Sequence, residues 1–489
     1  MNKRSFGAKV LVASILATAL VAGGQDPGYK TALTPDGRGI VRHPPAADFA
    51  AGRGKLDKLP VFDPNSKNGW QVDLRSRDLS ALDLADRLQD LLFADFDSRT
   101  VWPKALPNGF DPAALMDIGK NPGLGVRALH RLGITGNGVG VAIIDQALLV
   151  DHVEYRDRLR LYEEIHNGDE WAAMHGPAVA SIAVGTTVGV APGADLYYIA
   201  ETHGSVESGK FVFDFVPLAR SIDRILEVNR SLPADRKIRV LSISVGWSPR
   251  QKGYAEVTAA VERAKKDGIF VVSSSVSATY DGKFNFHGLG RNPQADPEDF
   301  RSYRPGLWWM DQFWGFSAGS PALLLIPMDS RATASPTGND DYVFYRQGGW
   351  SWSIPYLAGL YALACQVEPG ITPEVFWAKA LATGDSVEIP ARRSMPSQAE
   401  LARQIDRILD ERIAFMKKRS PDVPLEKTMA EAYSRLSGKK VEMISESDFR
   451  AWAAAGPIRE VAVGDTKPKA LKTIINPAKL IDALRKSAG

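Results

Sequence analysis

The chain has 489 residues, 44% of them hydrophobic and 24% charged, and 60 basic against 57 acidic side chains leave a formal net charge of +3. At roughly 100–200 residues per domain this allows two to four domains, or one large domain with additions. The composition excludes a collagenous, wholly disordered or polytopic membrane chain, the charge balance gives no reason to expect a nucleic-acid partner, and the single cysteine, Cys365, excludes an internal disulfide, cysteine-rich zinc sites and iron–sulfur clusters.

In chain order, residues 1–24 read as a secretory signal peptide. Lys3, Arg4 and Lys9 precede an apolar run from Val10 to Ala22, and small residues follow at Gly23 and Gly24. The run is shorter than the ~20 residues that cross a bilayer. No cysteine follows it to carry a lipid. The expectation is a secreted, extracellular protein of bacterial source, with no membrane partner beyond the signal segment. Residues 25–125 form an N-terminal extension or a propeptide. One helix is predicted there, Ser80–Phe93, on the apolar stripe Leu82, Leu84, Leu88, Leu91 and Leu92. The segment lacks the alternating strand pattern of a small α+β propeptide, which favours a retained extension.

From about residue 126 short apolar runs alternate with amphipathic stretches. This predicts an α/β fold with a doubly wound, mostly parallel sheet. The strands are Gly140–Ile144, Leu196–Ala200, Val240–Val245, Ile269–Ser273 and Ala322–Ile326. Leu218, Ile222, Ile225 and Leu226 mark one intervening helix, and Val257, Val261 and Ala264 another. From Pro396 the chain turns charged and helical, with Leu401, Ile405, Ile408 and Ile413 at helical spacing. Ser445 and Asp448 mark a further helix start. The tail, Ile475–Leu484, leads into a last helix.

Three segments carry possible chemistry. An apolar strand ends on Asp145, His175 opens a helix rich in small residues, and Ser351 sits where a glycine turn enters a helix. A serine hydroxyl needs an adjacent base to become a nucleophile. His175 can take that proton, and Asp145 can hold the imidazole tautomer. In open parallel sheets such groups gather beyond the carboxyl ends of the strands. Taken singly, each has a plainer reading as a turn residue, a surface histidine or a helix cap. The glycines of Gly136-Asn-Gly-Val-Gly140 precede a strand, whereas a dinucleotide loop follows one.

In order and surroundings these segments resemble the subtilisin-like serine proteases, or subtilases. The motifs are Ile143-Ile144-Asp145-Gln-Ala147 with His152 seven residues past the aspartate, His175-Gly-Pro-Ala-Val-Ala-Ser181, Val190-Ala-Pro-Gly-Ala194 and Gly349-Trp-Ser-Trp-Ser-Ile-Pro-Tyr-Leu-Ala-Gly359. The resemblance implies a catalytic domain over 126–385, a helical insertion over 386–470 and a closing strand and helix over 471–489. It implies Asp145, His175 and Ser351 as catalytic residues. Ser244, Val245, Gly246, Ser274, Ser275 and Val276 would line the pocket for the substrate residue before the cut.

The sequence departs from the family at several of these positions. Ser277 stands where the family has an oxyanion-hole asparagine. Loss of such a donor costs roughly 10²–10³ in turnover in subtilisin itself. Val276 replaces a glycine and is expected to narrow the pocket, and Ala147 replaces a turn glycine. Trp350 and Trp352 flank the serine, where they are expected to add aromatic surface at the rim. The implied function is a secreted serine endopeptidase, slow or narrow in specificity, acting on peptide or protein substrates. The alternatives are a pseudoprotease that binds peptides or a partner, and an esterase-like hydrolase. No cofactor or metal is assigned. The family often binds calcium at loops, but Asp296, Glu298 and Asp299 lack a calcium spacing. His152 is expected to be structural and Cys365 a small buried apolar residue. The aromatic cluster Trp308–Phe316 is expected to be core under a long loop, with a binding surface as the alternative.

Overall fold

The computed structural model describes residues 39–48, 52–63, 66, 68–307, 323–389, 398–455 and 470–488. The signal segment and the aromatic cluster lie outside the described residues. The principal sheet has six strands in the order β1 (Gly39–Ile40), β5 (Leu159–Glu164), β6 (Asp195–Ala200), β4 (Gly140–Asp145), β9 (Ile238–Ile243) and β10 (Phe270–Ser273). Every neighbouring pair is parallel. A parallel sheet is covered on both faces, so its central strands read as near-continuous apolar runs. Successive side chains then feed two cores. Val141 and Ile143 of β4 pack with the helices His175–Val184 and Trp350–Val367. Ala142 and Ile144 pack with Val216–Ser231 and Tyr254–Lys266.

A second sheet has five strands in the order β12 (Tyr303–Pro305), β11 (Asn285–Arg291), β13 (Leu323–Pro327), β17 (Ala470–Ile474) and β16 (Asp385–Ile389). Its three central strands are parallel, and both edge strands run antiparallel. The mostly parallel α/β architecture therefore holds, but it is divided over two sheets. A third sheet joins β14 (Arg331–Ala334), β15 (Tyr342–Tyr345), β3 (Ala94–Asp97) and β2 (Val72–Asp73). A hairpin, β7 (Gly204–Glu207) with β8 (Lys210–Phe213), follows β6.

The N-terminal segment is interleaved with this body. β1 extends the principal sheet beside β5, and β3 pairs antiparallel with β15, with Phe96 stacked on Phe344 at 5.1 Å. The predicted helix Ser80–Phe93 is reduced to one turn, Leu88–Leu91. Asp78 accepts from Ser80 N at 2.9 Å and Asp83 from Ala85 N at 3.1 Å. These local turns satisfy backbone groups that a helix would have used, so the leucine stripe folds as successive turns. Leu79, Leu84, Leu91 and Leu92 still pack together in a small core of their own.

In the C-terminal third, helices Gln398–Arg419, Leu425–Ser437 and Glu446–Ala455 pack around Leu409, Ile413, Met429 and Phe449. Ser445 Oγ accepts from Asp448 N at 3.1 Å, the cap its sequence signalled. The chain then returns to insert β17 in the second sheet. The helix Pro477–Ala488 adds Leu480, Ile481 and Leu484 to the main core.

Candidate active site

Asp145 closes β4 at the carboxyl end of the principal sheet and is 1% exposed. The helix His175–Val184 starts directly opposite. His175 Nδ1 donates to Asp145 Oδ1 at 2.7 Å, and Gln146 N donates to the same oxygen at 2.8 Å. A carboxylate only accepts here, so Nδ1 carries the proton and Nε2 is left as the basic nitrogen. Tyr198 Oη donates to Gln146 O at 2.5 Å, fixing the turn after Asp145. A Cβ on Gly176 would lie 2.5 Å from Gln146 O and 2.6 Å from Tyr198 Oη. Only glycine lets the helix come this close to the aspartate turn. Ala147, at the family's glycine position, is fully buried.

Ser351 occupies the first turn of the helix Trp350–Val367, capped by Gly349, which offers no side chain to the helix amides. Pro355 lies inside this helix. It has no N–H to give to the carbonyl four residues back, which is that of Ser351. Ser244 Oγ donates to that carbonyl at 3.2 Å, and Ser351 Oγ donates to Ser244 O at 3.3 Å. The serine thus faces the end of β9, and no hydrogen bond joins it to His175 among the described residues. Trp352, the next residue along the helix, is 3% exposed, with its ring 5.3 Å from the His175 ring and 5.2 Å from Tyr345. The expected rim position of this indole is corrected. Trp352 is core, while Trp350 is half-buried against Phe286 and His287.

The expected pocket walls do come together. Ser275 Oγ accepts from Trp247 N at 2.9 Å and donates to Trp247 O at 3.1 Å, and Ser274 N donates to Val245 O at 3.2 Å. A Cβ on Gly246 would stand 3.0 Å from Ser275 Oγ and 3.1 Å from Ser274 Cβ. Val276 differs from its expected role. It is 2% exposed and belongs to the main core, so its isopropyl group is packing rather than the wall of an open pocket. Ser277, next to it in the one-turn helix Val276–Thr279, is partly exposed, and its carbonyl accepts from Gly282 N at 2.7 Å.

Two acidic groups near the site lay outside the sequence reading. Asp329 is 1% exposed and accepts from Leu307 N at 2.9 Å and Gly348 N at 2.8 Å, tethering the turn that delivers Ser351. Burial pushes its carboxyl up to about 6, against the pull of Arg346 and the two amides. Glu201 directly follows β6 beside Asp145, its amide bonded to Asp145 O at 2.7 Å. It is fully buried and bonded to the His203 ring. Burial works against both charges, but mutual attraction wins, holding Glu201 below and His203 above their ordinary values. Glu201 had a legible signal, because it is a carboxylate at a strand end just as Asp145 is.

The remaining candidates have plain structural roles. His152 is buried, donating from Nε2 to Asp341 O at 2.9 Å and accepting from Glu154 N at 3.2 Å, with burial lowering its pKa. Cys365 is 3% exposed, its thiol pushed up to about 12 by burial. Glu298 accepts from Asn121 Nδ2, Asp299 pairs with Arg301, and Asp296 accepts from Glu298 N. Among the described residues no group of three His, Cys, Asp or Glu side chains could hold a metal ion, and no helix is long and apolar enough to cross a membrane.

A buried carboxylate bonded to an imidazole, near a serine at a helix start, is an arrangement of the serine-hydrolase class. Residues 136–285 match the Subtilase family. This match supports a subtilisin-like serine peptidase in general terms. The matched stretch contains Asp145, His175 and Ser277, and Ser351 lies beyond it. The chain is also similar to two solved structures. One is the prenylagaramide maturation protease PagA, at 15% identity over 54% of this chain and 89% of that one, with a TM-score of 0.37. The other is a cold adapted subtilisin-like serine proteinase, at 16% identity over 51% and 83%, with a TM-score of 0.35.

Proposed function

We propose that the protein is a secreted serine endopeptidase, slow or narrow in specificity, that cleaves through an acyl-enzyme. Ser351 attacks the scissile carbonyl, His175 takes and returns the proton, and Asp145 orients the imidazole. The backbone N–H of Ser351, with Ser277 as a weak second donor, stabilises the oxyanion. Ser244–Gly246 and Ser274–Ser275 flank the substrate residue before the cut. The N-terminal extension is retained as part of the working enzyme. No metal or other cofactor is needed for these steps. The observation that carries this reading is the 2.7 Å bond from His175 Nδ1 to buried Asp145, which leaves Nε2 as the basic nitrogen.

One observation favours the alternative of a non-catalytic peptide- or partner-binding protein. The Ser351 hydroxyl is bonded to Ser244 O and not to His175. Labelling with a fluorophosphonate probe decides between the two. Covalent labelling at Ser351 that Ser351→Ala and His175→Ala both abolish is the expected result. Absence of labelling in folded protein would support the binding role.

A further inference from the structure

Behind the Ser351 helix the core holds two buried arginines. Arg331 opens β14 at 3% exposure, and Arg291 ends β11 at 4%. Neither forms an ion pair among the described residues. Arg291 is satisfied by backbone carbonyls, donating to Asn292 O at 3.2 Å, Pro293 O at 3.1 Å, Ala295 O at 2.9 Å and Ser330 O at 2.7 Å. Arg331 is not. Its Nη2 reaches Val188 O only at 3.4 Å, and its Nε and Nη1 have no acceptor among the described residues. Its guanidinium sits 5.2 Å over the ring of Tyr356, whose fully buried hydroxyl also lacks a partner. The nearby carboxylate Glu298 is committed to Asn121 Nδ2 and Gly125 N.

A charge buried without compensation is among the costliest features of a protein interior. Burial depresses the Arg331 guanidinium only to about 10, so it stays charged at neutral pH. The Tyr356 ring face offsets part of the cost. Water could occupy the orphaned donors, but it would leave the charge unbalanced. We propose that Arg331 and Tyr356 form a buried binding site for a small monovalent anion of the halide class. Two guanidinium N–H groups and one hydroxyl supply the donors. The burial of both residues selects for small ions, since sulfate would need the core to open. Tyr356 follows Ser351 within one helix, so the bound ion would brace the helix that carries the serine. This goes beyond the peptidase reading and does not depend on it, because the readout is stability.

The test is thermal denaturation of the full-length protein at constant ionic strength, with sodium gluconate replaced stepwise by chloride or bromide. Ligand linkage predicts a saturable rise in melting temperature of a few degrees with either halide and none with sulfate. Arg331→Met should fold, because it removes a buried unpaired charge while keeping the stem, and it should abolish the halide response. Tyr356→Phe should move the halide midpoint to higher concentration. Equal melting temperatures in gluconate and chloride would overturn the proposal, as would a full halide response in Arg331→Met. Should Arg331→Met not fold, crystals of the wild-type protein grown in bromide decide the matter. An anomalous peak beside Arg331 is expected, and a site without one refutes the idea.

Discussion

At the scale of single residues the question is what the Ser351 hydroxyl can do from where it lies. Its bond to Ser244 O is 3.3 Å long, at the weak end of the hydroxyl range. A serine side chain moves between staggered rotamers with little hindrance, so this bond does not fix it there. In the proposed mechanism the oxyanion side, with Ser277 as its side-chain donor, is the poorer half of the site. Ser277→Asn should restore a longer donor and raise kcat by roughly 10- to 100-fold toward the family's level. An unchanged kcat on a peptide substrate would mean that Ser277 does not face the developing charge. Asp145→Asn should lower the rate of fluorophosphonate labelling by roughly 10⁴, because an amide favours the wrong imidazole tautomer. Labelling near the wild-type rate would remove Asp145 from the mechanism. Asp329 gives a pH test. Its folded pKa of about 6 lies above the ordinary carboxylate value, so the folded state binds the extra proton. The cost of burying its carboxylate is present above pH 6 and relieved as pH falls below it. The wild-type protein should therefore gain stability relative to Asp329→Asn between pH 8 and pH 5. Paired melting curves at the two pH values check this, and a constant difference would mean that Asp329 does not titrate in that window.

Secondary-structure elements were legible where one physical signal dominated. β4, β6, β9 and β10 are buried on both faces, and their apolar runs announced them. β5 escaped because its sequence, Leu-Arg-Leu-Tyr-Glu-Glu, carries buried charges. Glu163 and Glu164 are neutralised by Arg224 and Arg42, partners distant in sequence. The Ser80–Phe93 stripe misled because helical spacing says nothing of Asp78 and Asp83 capturing nearby amides. At the site, the strand-end aspartate and the helix-opening histidine could be paired from sequence. The bond between Ser351 and Ser244 could not, since it depends on the carbonyl that Pro355 leaves free and on the approach of two elements. Val276 follows the same pattern. The resemblance, in which it replaces a pocket glycine, implied a pocket wall, but the one-turn helix directs it into the core. Val276→Gly should cost about 2–4 kcal/mol from the cavity and the lost side chain. Chemical denaturation measures the loss, and a cleavage profile broadened toward large residues with no loss of stability would return Val276 to the pocket.

Across the whole molecule, the N-terminal segment is tied to the same structure that holds the site. β3 pairs with β15, whose Tyr345 packs at 5.2 Å on Trp352, which in turn lies 5.3 Å from His175. From the segment itself, Arg75 sits 5.5 Å over the Tyr345 ring and is anchored by Asp73 at 2.8 Å. Asp95, deeply buried, accepts from Arg346 N at 2.8 Å. Removing this segment would bare the β15 edge and expose Phe344, which is 1% exposed in the intact protein. An unpaired apolar edge invites aggregation. A chain starting near residue 121 should therefore be poorly soluble and fail to label with fluorophosphonate, while the chain from residue 25 labels. The N-terminus of the mature natural protein is expected upstream of β1. Mass spectrometry of that N-terminus checks the point directly. A mature protein that begins near residue 125 and still labels would make the segment a removable propeptide, and its strand pairing a transient of folding.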